Sequence, residues 1–395
     1  MGTVTFREGR QIVEERVAAA GRSLEIETVP LEAAAGRVLA TAVLADRDYP
    51  PVDRSIRDGF AVRSQDLPGR LRVVGEVRAG EWFSATLGPG EAVEIYTGAP
   101  IPPGCDQVVM VEQVTRNGSE IATARPPAAG EFIQRRGSES VAGVVVLRAG
   151  QRLDYARVAQ AATVGAVALN VFRRPRVAIL ATGDEIVEIT AKPLQHQVRN
   201  SNSYALAAQV ARAGGEPTVL PVARDNRDDI RRCVEQGLGF DLLLLSGGVS
   251  AGKYDLVEGV LADCGAEFYF DRVRIQPGQP LVFGRARGTF FFGLPGNPAS
   301  TMVTFEVFAR LAIALLSGET NLVSPMLAAR LTHPFSHQPG LTRFLPAHCD
   351  GGRVTPIPWQ GSSDVPALAR ANAFLVAESD QSSWEAGEWI GIWPK

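Results

Sequence analysis

The chain has 395 residues, 45% hydrophobic and 21% charged, so two to four domains with sizeable cores are expected. A formal net charge of -3 leaves no basic footprint for nucleic acid or an anionic membrane surface, and no apolar run reaches the roughly 20 residues that span a bilayer. The four cysteines (Cys105, Cys233, Cys264, Cys349) form no C-x-x-C pair, which suits a reducing cytoplasm and argues against a thiolate metal centre, and the charged N-terminal stretch lacks the apolar centre of a secretion signal.

In chain order, residues 5–20 place Ile12, Val13, Val17 and Ala20 on one helical face. Residues 31–44 predict a second helix and a short strand. The segment 46–62, DRDYPPVDRSIRDGFAV, is dense in Pro, Asp and Arg and predicts an extended loop ending in a strand at Gly59–Val62. From 71 to 147, short alternating runs are broken by Gly and Pro at close intervals, the signature of a small β domain, with Thr97 at a strand-to-loop exit. Residues 154–170 return to a helical pattern. If they pack back on the first helices, the β domain is an insertion and the helical domain is discontinuous.

From residue 176 strands and helices alternate: strand 177–182, helix 203–213, strand 218–223, helix 226–236, strand 241–245, helix 255–264. A strand at 266–275, a hairpin around 284–289, a strand at 289–293 and a long helix at 299–316 follow, with Asn297 and Pro298 as its cap and first turn. This alternation predicts a parallel sheet with right-handed crossovers. Residues 321–395 are rich in turns and short strands, a small β barrel or sandwich. His333 and His337 flank Pro334 and are expected in a loop.

The chemistry centres on residues 241–255, DLLLLSGGVSAGKYD. A short apolar run that stops at paired glycines predicts a buried strand ending in a tight loop. Its backbone N–H groups and the following helix N-terminus favour an anion such as phosphate. An ordinary strand-to-helix turn has the same outline. Gly247, Gly252 and Lys253 also mimic a P-loop, but Tyr254 stands where Ser or Thr would reach magnesium. Ligands of open parallel sheets bind beyond the carboxyl ends of the strands. Glu185, Asp225 and Asp255 follow three such strands and are expected to converge on the glycine loop. Three carboxylates beside a phosphate loop need a hard divalent cation, which predicts a magnesium-assisted reaction on a phosphorylated or nucleotide-bearing ligand.

The ordered segments YPPVDRSIRDGFAVR, VEIYTGAPIPPGCDQVVMVE, QRRGSE, ATGDE, ARDN, SGGVSAGKYD, GLPGNPAS and GSSDVPALARANAFLV resemble the MoeA family, which includes the E domain of gephyrin. The similarity runs from about residue 5 to residue 395. It implies a multi-domain α/β plus β fold: an elongated, discontinuous helical domain (1–45 plus 140–173), an inserted β domain (46–139), a MogA-like parallel α/β domain (174–318) and a C-terminal β barrel (319–395). It also implies a cytoplasmic homodimer whose cleft lies between the α/β domain and the partner chain's β domain. The implied reaction inserts molybdate into adenylylated molybdopterin, releasing AMP and molybdenum cofactor in the presence of magnesium. MogA-like proteins and molybdoenzymes are the implied protein partners.

By motif, Asp58, Thr97, Glu185, Asp225 and Asp255 are then active-site residues, with Glu185, Asp225 and Asp255 toward the metal. Ser246, Gly247, Gly248, Val249 and Ser250 hold the phosphate or nucleotide. Pro295, Gly296, Asn297 and Pro298 shape the cleft, and Arg135 and Arg136 face anionic groups or buttress it. The chain departs from the family pattern at three places. Ser55-Ile56-Arg57-Asp58-Gly59 stands for S-A-M-D-G, Gln276-Pro277-Gly278-Gln279-Pro280 for K-P-G-K-P, and Glu139 for the acidic residue of an RRGED-like segment. Two cations that would help hold an oxyanion are thus replaced by amides; Arg57, Arg272 and Arg274 are the candidates to supply that charge instead. The alternatives are a molybdopterin adenylyltransferase, a tungstate-preferring paralogue, and a non-catalytic pterin or nucleotide scaffold.

Overall fold

A computed structural model of the chain describes residues 2–21, 24–124, 130–247, 256–322 and 325–395. It is a multi-domain α/β plus β protein. The N-terminal helix Phe6–Ala18 starts with a capping box: Thr5 accepts from the Glu8 amide, and Glu8 reaches back to the Thr5 amide at 2.8 Å. Its apolar face does not meet the helix Tyr155–Thr163. Phe6 instead packs edge-on against Phe308, Phe344 and Trp393, with ring centroids 5.9, 5.2 and 6.2 Å away. The expected helix at 31–44 is only a 3-10 turn, Leu31–Ala33, followed by the strand Val43–Leu44. Gly36 at φ 76° breaks the run before one helical turn can propagate.

The segments flanking the β domain pair with each other. Ile26–Pro30 runs antiparallel to Ala168–Phe172, and Val43–Leu44 runs antiparallel to Val145–Leu147. Tyr155–Thr163 packs beside them over a core of Val29, Leu39, Leu153 and Val171. Between these pairs lies a six-stranded sheet in the order Gln107–Met110, Gly59–Val62, Glu91–Ile95, Gly69–Val77, Glu120–Thr123, Thr115–Asn117. Alternate residues feed two cores, Ala61, Val93 and Val108 on one face and Phe60, Val62 and Val109 on the other.

The α/β sheet has the order Glu216–Val219, Arg176–Ala181, Leu242–Ser246, Thr289–Leu294, Val282–Ala286, Glu267–Phe270. The first four strands are parallel, as expected. Val282–Ala286 runs antiparallel to both its neighbours, to Thr289–Leu294 through the hairpin at 286–289 and to Glu267–Phe270 at the edge. Leu242–Ser246 is buried throughout: Leu242 and Leu244 enter one core, Leu243 and Leu245 the other. The strand expected at 218–223 ends at Val219, two residues before Pro221, which has no N–H for the ladder.

The single strand expected at 266–275 is three short pieces. Glu267–Phe270 joins the α/β sheet, Arg272–Val273 pairs with Thr3–Val4, and Ile275–Gln276 pairs with Thr342–Asp350 of the next domain. One extended segment thus serves three partners in turn. The long helix spans Pro298–Leu316, with a π turn at Phe305–Ala309 around the buried Glu306. Its 19 residues are long and apolar enough to cross a membrane, but most are buried in the protein core. Pro298 sits in its first turn as expected. Asn297 precedes it but makes no side-chain cap hydrogen bond. The C-terminal strands Thr342–Asp350, Arg353–Pro356, Leu327–Leu331, Trp389–Pro394 and Ala373–Ala377 close into a five-stranded barrel, since the last pairs back on the first. His333 and His337 lie outside its strands; His337 stacks on Phe335 and Trp384.

Candidate active site

The carboxyl ends of three parallel strands lie level, with Ala181 beside Ser246 and Ser246 beside Leu294. Three loops therefore leave the sheet at one edge. Gly247 holds φ at 93°, and a Cβ there would stand 2.8 Å from the Thr182 carbonyl oxygen, so only glycine fits the first step of the central loop. Gly296 in the neighbouring loop approaches the Gly247 α-carbon. Asn202, in the first turn of Ser201–Arg212, ties the loops together. Its side-chain amide donates to Ser246 Oγ and the Gly296 carbonyl, each at 2.8 Å, and to Thr301 Oγ1 at 3.3 Å. Sequence reading missed Asn202; its only signal was a polar RNSNS run at the start of an otherwise apolar helix. Thr182 Oγ1, buried beside Gly247, has no partner among the described residues. Gly248, Val249, Ser250 and Asp255, with Gly252, Lys253 and Tyr254 of the P-loop mimic, lie outside the described residues.

The carboxylates along this edge are exposed. Asp184 and Asp225 are joined reciprocally, the Asp184 amide donating to Asp225 Oδ2 at 3.4 Å and the Asp225 amide to Asp184 Oδ1 at 3.3 Å. Glu185 instead folds back over Gly183, whose position would not admit a Cβ. The residue that meets Asp225 through hydrogen bonds is therefore Asp184, which sequence reading had left unassigned. No group of three His, Cys, Asp or Glu among the described residues forms a metal cage. Magnesium commonly takes one or two carboxylates and completes its shell with water and phosphate oxygens. The hard-oxygen donors of this edge fit that ion and not a closed thiolate or imidazole site.

A cavity of about 550 Å3 opens between the α/β domain and the barrel. Gln276, Gln279, Pro295 and Asn297 form one side, and Trp359, Gln360 and Ser362 the other. Gly278 permits this wall, because a Cβ there would meet Thr304 Cγ2 at 2.4 Å. Asn297 Nδ2 donates to Ser362 Oγ at 2.8 Å, and the Ala299 amide donates to the Ser362 carbonyl at 2.9 Å. This is where the Asn297 amide goes instead of capping its helix. Every charged-donor position of the Gln276–Pro280 wall is thus neutral. Neither Arg272 nor Arg274 lines the cavity.

The predicted residues of the β domain form a separate cluster. Thr97 donates to Asp58 Oδ1 twice, from its amide and its hydroxyl, each at 2.8 Å. Those bonds, the backbone one first, hold the Asp58 carboxyl below its ordinary value. Gly59 follows because a Cβ would strike the Val109 carbonyl oxygen at 2.0 Å. Arg135 pairs with Asp53 and Arg136 with Asp48, each at 2.6 Å, while Glu139 pairs with Arg54 at 2.7 Å. Both arginines therefore brace the loop that carries Asp58.

Three family descriptions match successive parts of the chain: the MoeA N-terminal region (domain I and II) at residues 4–165, a probable molybdopterin binding domain at 178–315, and the MoeA C-terminal region (domain IV) at 328–395. The chain belongs to the MoeA family. A MoeA relative from Nostoc sp., named molybdopterin molybdenumtransferase, is 37% identical over 85% of this chain and 80% of its own length. One of the same name from Bacillus subtilis is 34% identical over 93% and 89%. A solved molybdopterin biosynthesis MoeA structure from Pyrococcus horikoshii has a TM-score of 0.73 at 31% identity, covering 100% of this chain and 99% of that one. The curated MoeA relatives thus carry the name of a transferase, and the strand-edge loops described above fall within the probable molybdopterin binding domain.

Proposed function

We propose that this MoeA-family chain is the transferase that inserts molybdate into adenylylated molybdopterin, releasing AMP and molybdenum cofactor. The observation that carries this reading is the single edge where Ser246-Gly247, Pro295-Gly296-Asn297 and the Asp184–Asp225 pair meet, next to a 550 Å3 cavity with a polar wall. The loop 246–250 holds the nucleotide phosphate. Magnesium held by Glu185, Asp225 and Asp255 would offset the charge between that phosphate and the carboxylates. Pro295 and Pro298 shape the cleft, and Gln276, Gln279 and Ser362 offer neutral hydrogen bonds to the oxyanion. Asp58 and Thr97, braced through Arg135 and Arg136, form the facing wall from the partner chain of a cytoplasmic homodimer. The domain division 1–45 plus 140–173, 46–139, 174–318 and 319–395 underlies this arrangement. A MogA-like protein supplies the adenylylated pterin, and molybdoenzymes receive the product.

The test is single-turnover AMP release from adenylylated molybdopterin with molybdate and magnesium. AMP release that requires molybdate and falls on magnesium removal is expected. AMP at the background rate overturns the reading, and ATP consumption with pterin alone would mark an adenylyltransferase instead.

A further inference from the structure

A second cavity, of about 670 Å3, opens where the N-terminal helix, the helix Pro298–Leu316 and the end of the strand Trp389–Pro394 meet. Five cationic side chains line it, against the carboxylates Glu14, Glu306 and Glu319. Glu319 is consumed by Arg152, which donates to it from two nitrogens at 3.0 and 2.8 Å. Glu306, only 2% exposed, is shared by Gln209, Arg212 and, at 3.5 Å, Arg310. Lys395 Nζ is turned to the Leu368 carbonyl at 2.6 Å.

Arg10 is placed differently. Its guanidinium carbon lies 5.1 Å from the Trp393 ring centroid and 6.0 Å from that of Phe6, and one nitrogen donates to the Val307 carbonyl. Among the described residues it has no ion-pair partner. Burial pushes the Arg10 pKa down to about 10, against the pull of Glu14, and the neighbouring Arg310 adds a smaller push in the same direction as burial. Burial and Arg212 also hold Lys395 below its ordinary value, against the pull of Glu306. Cations are here gathered with too few counter-charges: the lining side chains carry a surplus of two positive charges.

We propose that this cleft binds a phosphate dianion, free or carried on a small ester, between Arg10 and Arg310, with Trp393 as its apolar wall. A guanidinium presents two parallel N–H groups that match two oxygens of a phosphate. A dianion cancels the surplus charge, and the volume falls in the usual range for small-molecule sites. The site is separate from the proposed molybdenum chemistry: it needs neither pterin nor molybdate.

Calorimetric titration of the full chain with inorganic phosphate and with phenyl phosphate tests it, in the wild type and in Arg310→Ala, Arg10→Gln and Ser246→Ala. Arg310 is 41% exposed, so its truncation leaves the fold intact even if the more buried Arg10 change does not. Saturable binding that weakens at least tenfold in Arg310→Ala supports the proposal. Tighter binding of phenyl phosphate than of phosphate assigns an ester, and equal binding assigns the free ion. No saturable binding, or weakening in Ser246→Ala with none in Arg310→Ala, overturns it.

Discussion

Asp58 accepts two hydrogen bonds from one residue, Thr97, and both favour its ionised form. Its folded pKa is lowered, so the linked stability is present above the unfolded carboxylate value near 4 and is lost as pH falls through the folded value. Carboxyl NMR should find Asp58 titrating below its ordinary range. In Thr97→Ala the value should rise only part of the way, because the larger cause, the backbone N–H, remains; no rise at all contradicts the hydroxyl's role. At the cavity wall, Gln276 and Gln279 replace charged donors with neutral ones. Gln276→Lys or Gln279→Lys should tighten molybdate binding about tenfold by calorimetry, the difference between a neutral and a charge-assisted bond. Unchanged affinity would place the oxyanion elsewhere. Asp58 and Thr97 are proposed through their motif. Asn202 and Asp184 carry no motif, because their contacts exist only once the strand ends are brought level.

The strand Leu242–Ser246 and its glycine exit were legible as an element, since a short run of four leucines that stops at paired glycines reads as a strand buried on both faces. Gly247 is where that strand turns into the loop of the proposed site. Gly247→Ala should cost about 1–3 kcal/mol in chemical denaturation, from a left-handed backbone and a Cβ pressed on the Thr182 carbonyl, and should reduce AMP release. Wild-type stability in that variant would mean the loop turns in another way. Elements failed to be legible where pairing was non-local. The run at 266–275 contains no Gly or Pro to punctuate it, yet three different partners divide it. The apolar stripe of Phe6–Ala18 is plain in the sequence, but its partner, the Phe308–Phe344–Trp393 group, lies roughly three to four hundred residues away.

At the scale of the molecule, the proposed cleft draws Asp58 from one chain and Asp225 from the other. Asp58→Asn and Asp225→Asn should each lose turnover alone. A refolded equal mixture forms half heterodimers, each with one intact cleft, and should recover about a quarter of wild-type AMP release. No recovery in a mixture shown to be dimeric by light scattering would mean that each cleft is built within one chain. The asparagine amide at 297, expected as a helix cap, instead joins the α/β domain to the barrel through Ser362, so one side of the cavity belongs to residues more than sixty positions from the other.

The sequence by itself determined the type of most elements, the glycine exits and the family, because periodicity, turn chemistry and ordered motifs are local properties of the chain. Tertiary structure alone decided which elements meet: the closing of the barrel, the antiparallel edge of the α/β sheet, the stitching at 267–276 and the Asn202 tie between loops. Those contacts join residues far apart in the chain, and hydrophobic patterning specifies that a face must be covered without specifying by what.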